Sequence, residues 1–333
     1  MSRDPGGFRV LIVGCGQLGS RHLQAVASLP QVRNIEIVDP RPEALQLGRK
    51  RLGEIPGSRD GTVFHWFSSL EEATQGGDLC IVATQADMRC RLVHEIANRL
   101  EYCSFLLEKL VAQSVRDYED LISFSKKRGL SIWVNCKGRA HPSHKRVKDR
   151  LNSTESIIFT VSGGNHGLVN NGIHAADLFA FFDGTDRIES AGARIDPILH
   201  SSKRGSGVFD LSGALHGHTE KGSYFTLSFA ADHDAPGYYA IVSRSYRAVI
   251  DDMMKWFYES TLESGWSWRQ VPYEANLTVS NMTRAFATDI LQLGRCELPT
   301  LEECFPAHRF ILTELNPHFN RLLGVESDRC PVT

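Results

Sequence analysis

Three glycines, Gly14, Gly16 and Gly19 in the stretch VGCGQLGSRH, have the spacing of a turn that can hold a phosphate. The apolar run FRVLIV (8–13) leads into them, and helical spacing follows. In that context each glycine has a separate use. Gly14 permits the tight turn, Gly16 lets a pyrophosphate approach the backbone, and Gly19 lets the helix lie against the strands. The N–H groups at the helix start, with Gln17 and Leu18 in the turn itself, would face the negative charge. Asp39 ends the next apolar run, twenty residues past Gly19. Its carboxylate can accept hydrogen bonds from adenosine ribose hydroxyls and would repel a 2′-phosphate, which favours NAD. Arg41, two residues on, can pair with that phosphate and keeps NADP open.

A hydride moving between a nicotinamide and an alcohol carbon needs a base for the hydroxyl proton and a donor for the developing alkoxide. In FLLEKLVAQ (105–113) an apolar run carries the chain into Glu108 and Lys109. That places them at the carboxyl end of a strand, where ligands sit in open α/β sheets. Glu108 can orient Lys109 or tune its pKa; a salt bridge closing the strand is the alternative. His174 and Asp177 are three apart and share a helix face, with a structural histidine as the competing reading. His141, His144, His166, His200, His216 and His218 are polar candidates that spacing does not single out. The H-x-H at 216–218 lacks a third ligand, so no metal is expected. The eight cysteines form no C-x-x-C and fit neither a disulfide framework nor a zinc site. Several fall in apolar runs, as small buried hydrophobes do.

Alternating elements must position these groups. Strands are expected at 8–13, 34–39, 62–66, 78–84, 104–109 and 130–135. Helices are expected from the turn to about 28, from about 41, over 87–100 and over 115–129. This order predicts a Rossmann-type doubly wound parallel sheet, an NAD(P)-binding domain over 1–135. The pattern then changes. Helices are expected over 142–151 and 171–184, strands at 156–163, 192–199, 207–215, 223–230, 238–245 and 247–251, and closing helices over 281–295 and 298–316. The reading is a second α+β domain, 136–333, on an open, mostly antiparallel sheet, serving substrate binding and oligomerisation.

The chain has 333 residues, 42% apolar and 23% charged, with a formal net charge of -2. That balance does not suggest a disordered chain or a nucleic-acid binder. The basic stretches 126–128 and 144–150 are expected to be solvated helix surface. With no apolar run of 18 residues and no leader, a cytoplasmic protein away from membranes is expected.

Four segments in order resemble the Gfo/Idh/MocA oxidoreductase family over nearly the whole chain. They are VGCGQLGSRH, E-K at 108–109, R-A-H-P at 139–142 and G-I-H-A-A-D at 172–177. The resemblance implies oxidation or reduction of a sugar, polyol or nucleotide-linked sugar with NAD or NADP. It also implies a homodimer or homotetramer formed through the C-terminal sheet. Lys109 corresponds to the active-site lysine, Glu108 to its neighbour, and His174 to the proton-transfer histidine. Asp177 matches the acidic residue three further on, and Arg139 a basic position leading into the second domain. Thr84, Glu108 and Lys109 join the cofactor side; Arg139, Asn170 and Asp177 join the substrate side. Lys137 and Lys203–Arg204 are further cations for an acidic or phosphorylated substrate. Three places depart from the family pattern. Leu110 stands where relatives have proline, so a trans peptide is expected after Lys109. Asn170 replaces an aspartate four residues before the histidine. Gln85 and Arg89, in ATQADMR, replace a proline and a histidine. These departures motivate the alternative of a non-catalytic dinucleotide-binding regulatory or interaction protein.

Overall fold

The computed structural model describes residues 7–55, 61–164, 167–202, 207–273 and 278–333. His166, Lys203 and Arg204 lie outside the described residues. The chain forms two compact units: Met1–Val111, Asp117–Asn135 and Asn276–Leu301 in the first, Ala112–Arg116, Cys136–Ala275 and Glu302–Thr333 in the second.

The first unit alternates strand and helix. Its elements are β1 (Phe8–Val13), α1 (Gly19–Ala27), β2 (Val32–Val38), α2 (Pro42–Gly53), β3 (Val63–Phe67), β4 (Leu79–Val82), α3 (Ala86–Arg99), β5 (Ser104–Leu107), α4 (Val115–Arg128) and β6 (Ser131–Val134). All pairings are parallel, in the order β3-β2-β1-β4-β5-β6. Every residue of β4 is buried, which explains its unbroken apolar run. The strand order reverses between β1 and β4, and the glycine turn leaves β1 at that point, the crevice used for ligands in doubly wound sheets.

The second unit contains α5 (Pro142–Arg150), β7 (Ile158–Gly164), α6 (Gly172–Asp183), β8 (Glu189–Ile195), β9 (His200–Ser201), β10 (Phe209–Asp210), β11 (Gly213–His218), β12 (Tyr224–Ala230), β13 (Tyr238–Val242), β14 (Tyr246–Asp251), β15 (Trp256–Thr261) and β16 (Arg269–Val271). Eight strands form one sheet, β16-β15-β14-β13-β7-β12-β11-β8, antiparallel except where β7 meets β12. Phe159, Phe179 and Phe225 stack between this sheet and α6. Two helices close the chain, α7 (Val279–Leu293) and α8 (Leu301–Leu323). Residues 276–301 fold with the first unit, where α7 packs on α1.

Two parts of the sheet differ from the expectation. The run 207–215 is not one strand: β10 pairs with β9, and β11 starts anew at Gly213, whose φ is +121°. A side chain there would strike the Arg194 carbonyl. The hairpin of β15 and β16 was not anticipated. Its Glu259 looks like a surface residue but is fully buried, because Arg146 and Arg269 grip its carboxylate and Tyr246 donates to it. Arg146 therefore ties α5 to the sheet, and the 144–150 stretch is not simply solvated. His144 in the same stretch is also buried. Among the described residues, no helix is long and apolar enough to cross a membrane.

Candidate functional site

The glycine turn has the shape its sequence predicts. Gly14 adopts φ +88°, and an added Cβ would lie 2.9 Å from the Ala83 carbonyl carbon. The turn thus packs against the loop after β4 that begins with Ala83 and Thr84. A Cβ on Gly19 would overlap the Gly14 carbonyl, so helix and turn share space only because Gly19 lacks a side chain. At Gly16, among the described residues, the only heavy atom within 4 Å of a would-be Cβ is Arg41 Nη2, at 3.5 Å. Gln17 and Leu18 complete the turn; Leu18 caps α1 without a side-chain hydrogen bond, which leaves that helix end to a ligand. Gly19→Ala is therefore expected to weaken NADH binding at least tenfold and to destabilise the fold by about 1–3 kcal/mol. A fluorescence titration and a urea melt check both parts.

Asp39 is buried and accepts four hydrogen bonds. The Cys15 N–H reaches Oδ2 at 2.8 Å and the Arg41 N–H reaches Oδ1 at 3.0 Å. Arg41 Nε and Nη2 add two more at 3.1 Å each. Burial alone would raise the Asp39 pKa, but these donors together hold it below the usual carboxylate range. Burial, helped by the Asp39 charge, pushes the Cys15 thiol up to about 12, which suits an inert packing group.

Glu108 and Lys109 follow β5, and both are buried. Glu108 Oε1 meets His22 Nε2 at 2.9 Å and accepts from Asn135 Nδ2 at 2.6 Å. His22 lies on α1, and its Nδ1 meets Thr283 Oγ1 of α7 at 2.9 Å. Burial by itself would raise the Glu108 pKa. His22, Asn135 and the nearby Arg89 charge outweigh it and pull the carboxyl down to about 2. The peptide bond between Lys109 and Leu110 is cis. This corrects the expectation of a trans bond. That expectation used only the local preference of a non-proline peptide, whereas Leu110, Val111 and Ala112 are buried, so tertiary packing also acts on this segment. On the first turn of α3, Arg89 is buried and donates through Nη2 to the Thr84 carbonyl, while Gln85 caps that helix through its backbone carbonyl, which accepts from the Met88 N–H.

The second unit holds the remaining candidates. Arg139 sits in a short 3₁₀ turn, Lys137–Ala140, and clasps Asp177 of α6 with Nε at 2.9 Å and Nη2 at 2.7 Å. Nη2 also donates to the Glu303 carbonyl at 2.9 Å. Burial works against the Arg139 charge, but the Asp177 carboxylate outweighs it and raises the guanidinium pKa. The structure therefore commits Arg139 and Asp177 to each other. Cys304 Sγ donates to Asp177 Oδ1 at 3.2 Å. Cys136, Asp177 and Cys304 bring ligand atoms within 4.8 Å of one another. The guanidinium already supplies the positive charge there, so this cluster reads as packing.

His174, on the first turn of α6, is half-buried, and its N–H donates to the Asn171 carbonyl at 3.0 Å. Asn170 Nδ2 donates to Asp210 Oδ2 at 2.8 Å. His141 joins a hydrogen-bonded chain with Tyr273 and Asp252, and burial, with the nearby His144, lowers its pKa to about 4. His200 and His216 bond to Ser212 and Thr226, and His218 pairs with Glu189.

Four residues near these groups were not singled out from sequence: His22, Asn135, Arg51 and Asp210. Arg51 donates to the Gln17 carbonyl and the Ser20 hydroxyl, both at 2.6 Å, which braces the glycine turn. Only His22 lay inside a quoted motif; the others have partners 27 or more residues away.

Residues 8–136 match the profile of an oxidoreductase family described as having an NAD-binding Rossmann fold. A 4-carboxy-2-hydroxymuconate-6-semialdehyde dehydrogenase from Sphingobium sp. is 24% identical over 255 residues, 69% of this chain and 74% of that protein. An oxidoreductase from Agrobacterium radiobacter, solved with NAD+, L-tartaric acid and magnesium, is 14% identical with a TM-score of 0.74, covering 94% of this chain and 97% of that one. KijD10, a 3-ketoreductase from Actinomadura kijaniata solved with NADP, is 20% identical with a TM-score of 0.68, covering 92% and 96%. The structural likenesses show that the fold is shared across nearly the full length of each chain.

Proposed function

We propose that this chain, which matches the Gfo/Idh/MocA oxidoreductase family, is an NAD(P)-dependent dehydrogenase or reductase. Its substrate is a hydroxyl- or carbonyl-bearing molecule such as a sugar, polyol or nucleotide-linked sugar. The observation that carries the reading is the glycine turn, open at Gly16 and backed by α1, together with a buried Lys109 fixed beside the anchored Glu108. The relatives' substrates support it: one is named for a semialdehyde and another for a ketone. A bound nicotinamide would supply or accept the hydride. Gly14, Gly16, Gln17, Leu18 and Gly19 would hold the dinucleotide, with Asp39 and Arg41 at its adenosine end and Thr84, Glu108 and Lys109 towards its nicotinamide end. His174 takes or returns the hydroxyl proton, and Lys109 stabilises the charge that develops on oxygen.

NAD is the preferred cofactor in this reading. Arg41 is the adjustable part, because its exposed guanidinium, paired with Asp39, can turn towards a 2′-phosphate. Arg41→Ala is expected to weaken NADPH binding about tenfold, the scale of one charge-assisted contact, with NADH binding held or tightened. Equal changes in the two dissociation constants would remove Arg41 from cofactor selection.

Exposed Ile158, Tyr224, Tyr238, Val242 and Tyr258 lie on the strands of the second unit's sheet. They support self-association through that sheet as a homodimer or homotetramer. The function is tested by following NAD(P)H absorbance over a panel of sugars, polyols, nucleotide sugars and carboxylated aldehydes. Dinucleotide binding without turnover on any of them would refute catalysis.

A further inference from the structure

Helix α6 carries His174, and its first N–H groups are met by the turn before it: that of Gly172 donates to the Gly167 carbonyl at 3.4 Å and that of His174 to the Asn171 carbonyl at 3.0 Å. No side-chain hydrogen bond caps the helix at Asn171, and the first turn contains no acid. A carboxylate from elsewhere in the fold holds the segment just before it. Asp210, on the two-residue strand β10, is 7% exposed. Its Oδ1 accepts from the N–H groups of Val169 at 2.9 Å and Leu211 at 2.8 Å. Its Oδ2 accepts from the Asn170 N–H at 3.1 Å and Asn170 Nδ2 at 2.8 Å.

The surroundings fit this grip. Any side chain at Gly167 would strike the Asp210 carboxylate. The Leu168 N–H donates to the Leu211 carbonyl at 2.8 Å, so residues 168–170 follow the β10 end in register. The strand is itself held by a bond from the Phe209 N–H to the Pro331 carbonyl at 2.8 Å. From residue 171 the chain winds directly into α6, with Ile173 N–H donating to the Val169 carbonyl at 3.2 Å. A shift at 169–170 must therefore move the turn that bears His174.

We infer that Asp210 is a positioning residue for the His174 turn, acting through Asn170 and the Val169 amide. The inference rests on the proposed role of His174, yet its structural half can be read without any substrate. The pairing is directional: an amide at 170 faces a carboxylate at 210. Hydrogen exchange of the amides in 167–174 is measured by mass spectrometry for the native chain, Asp210→Asn, Asn170→Asp and the double variant. Asp210→Asn and Asn170→Asp should each speed exchange at least tenfold, the first by losing charged acceptors and the second by setting two carboxylates at hydrogen-bond distance. The double variant restores the side-chain pair of one amide facing one carboxylate, though not the bond from the residue-170 N–H, and should exchange more slowly than the worse single variant. Unchanged exchange in Asp210→Asn, or a double variant as loose as the worse single one, overturns the inference. Should Asp210→Asn fail to fold, Asn170→Ala removes one bond of the four and decides: native-like exchange there overturns it as well. With a substrate in hand, Asp210→Asn should lower kcat about tenfold and leave the NADH dissociation constant unchanged. An unaltered kcat, or loss of NADH binding in step with it, refutes positioning. Absence of native turnover on every substrate sinks the proposed function instead and leaves the exchange result standing.

Discussion

Lys109→Ala should lower kcat/KM by about 10²–10³-fold, the usual worth of one preorganised donor aimed at developing charge, and leave NADH affinity within about threefold. The reasoning starts from the backbone. Strand β5 ends at Leu107, and Glu108 is then anchored on one side by His22 of α1 and on the other by Asn135 beyond β6. Leu110 and Val111 are fully buried immediately after. Lys109 is thus gripped from both sides by its neighbours, and removing its side chain should take away the ammonium without releasing the segment. Lys109→Arg should rescue poorly, because a guanidinium keeps its proton and spreads its charge over a wider fork than the ammonium it replaces. The decisive comparison sets turnover beside dinucleotide affinity. Lost turnover with retained affinity places Lys109 at the chemistry. Turnover within about threefold of native would mean that the lysine is a structural cation and that the charge on oxygen is stabilised elsewhere.

The parts of this site that could be read from sequence are those built from local rules. The glycine turn is local, because Gly14 needs a positive φ and Gly19 needs an absent side chain, and both needs are met within six residues. The arrival of Glu108 and Lys109 at the end of a strand is local too, since an apolar run buried on both faces announces itself. What pairs across long separations stayed hidden. His22 stood within a quoted motif, yet its bond to Glu108 spans 86 residues and its bond to Thr283 spans 261. The burial of Glu259 in the unanticipated strand WFYEST stayed hidden as well, because it depends on arginines at 146 and 269. The cis bond after Lys109 was missed for a similar reason: proline chemistry is visible one residue at a time, and packing around Leu110 is not. Arg139 and Asp177 were each singled out for a substrate, and neither spacing nor resemblance could show that they hold one another.

Glu108→Gln should destabilise the protein by about 3 kcal/mol at neutral pH, with a loss that shrinks as the solution is acidified. The carboxyl sits at about pH 2 in the fold against an ordinary value of 4.5. A group whose pKa is lowered by folding contributes stability above its unfolded value, and that contribution disappears as the pH falls through the folded one. The separation of the two values corresponds to about 3 kcal/mol well above pH 4.5 and to roughly half of that near pH 3. The amide keeps the size and one acceptor but not the charge that His22 and Asn135 face, so the penalty at neutral pH should be close to the whole electrostatic contribution. Urea melts of the native and variant chains at pH 7, 5, 4 and 3 give the test. The two stabilities should draw together as the pH drops, since protonation does to the native carboxyl what the substitution does permanently. A difference that stays constant with pH would assign the loss to packing and geometry and not to the charge of the Glu108 carboxylate.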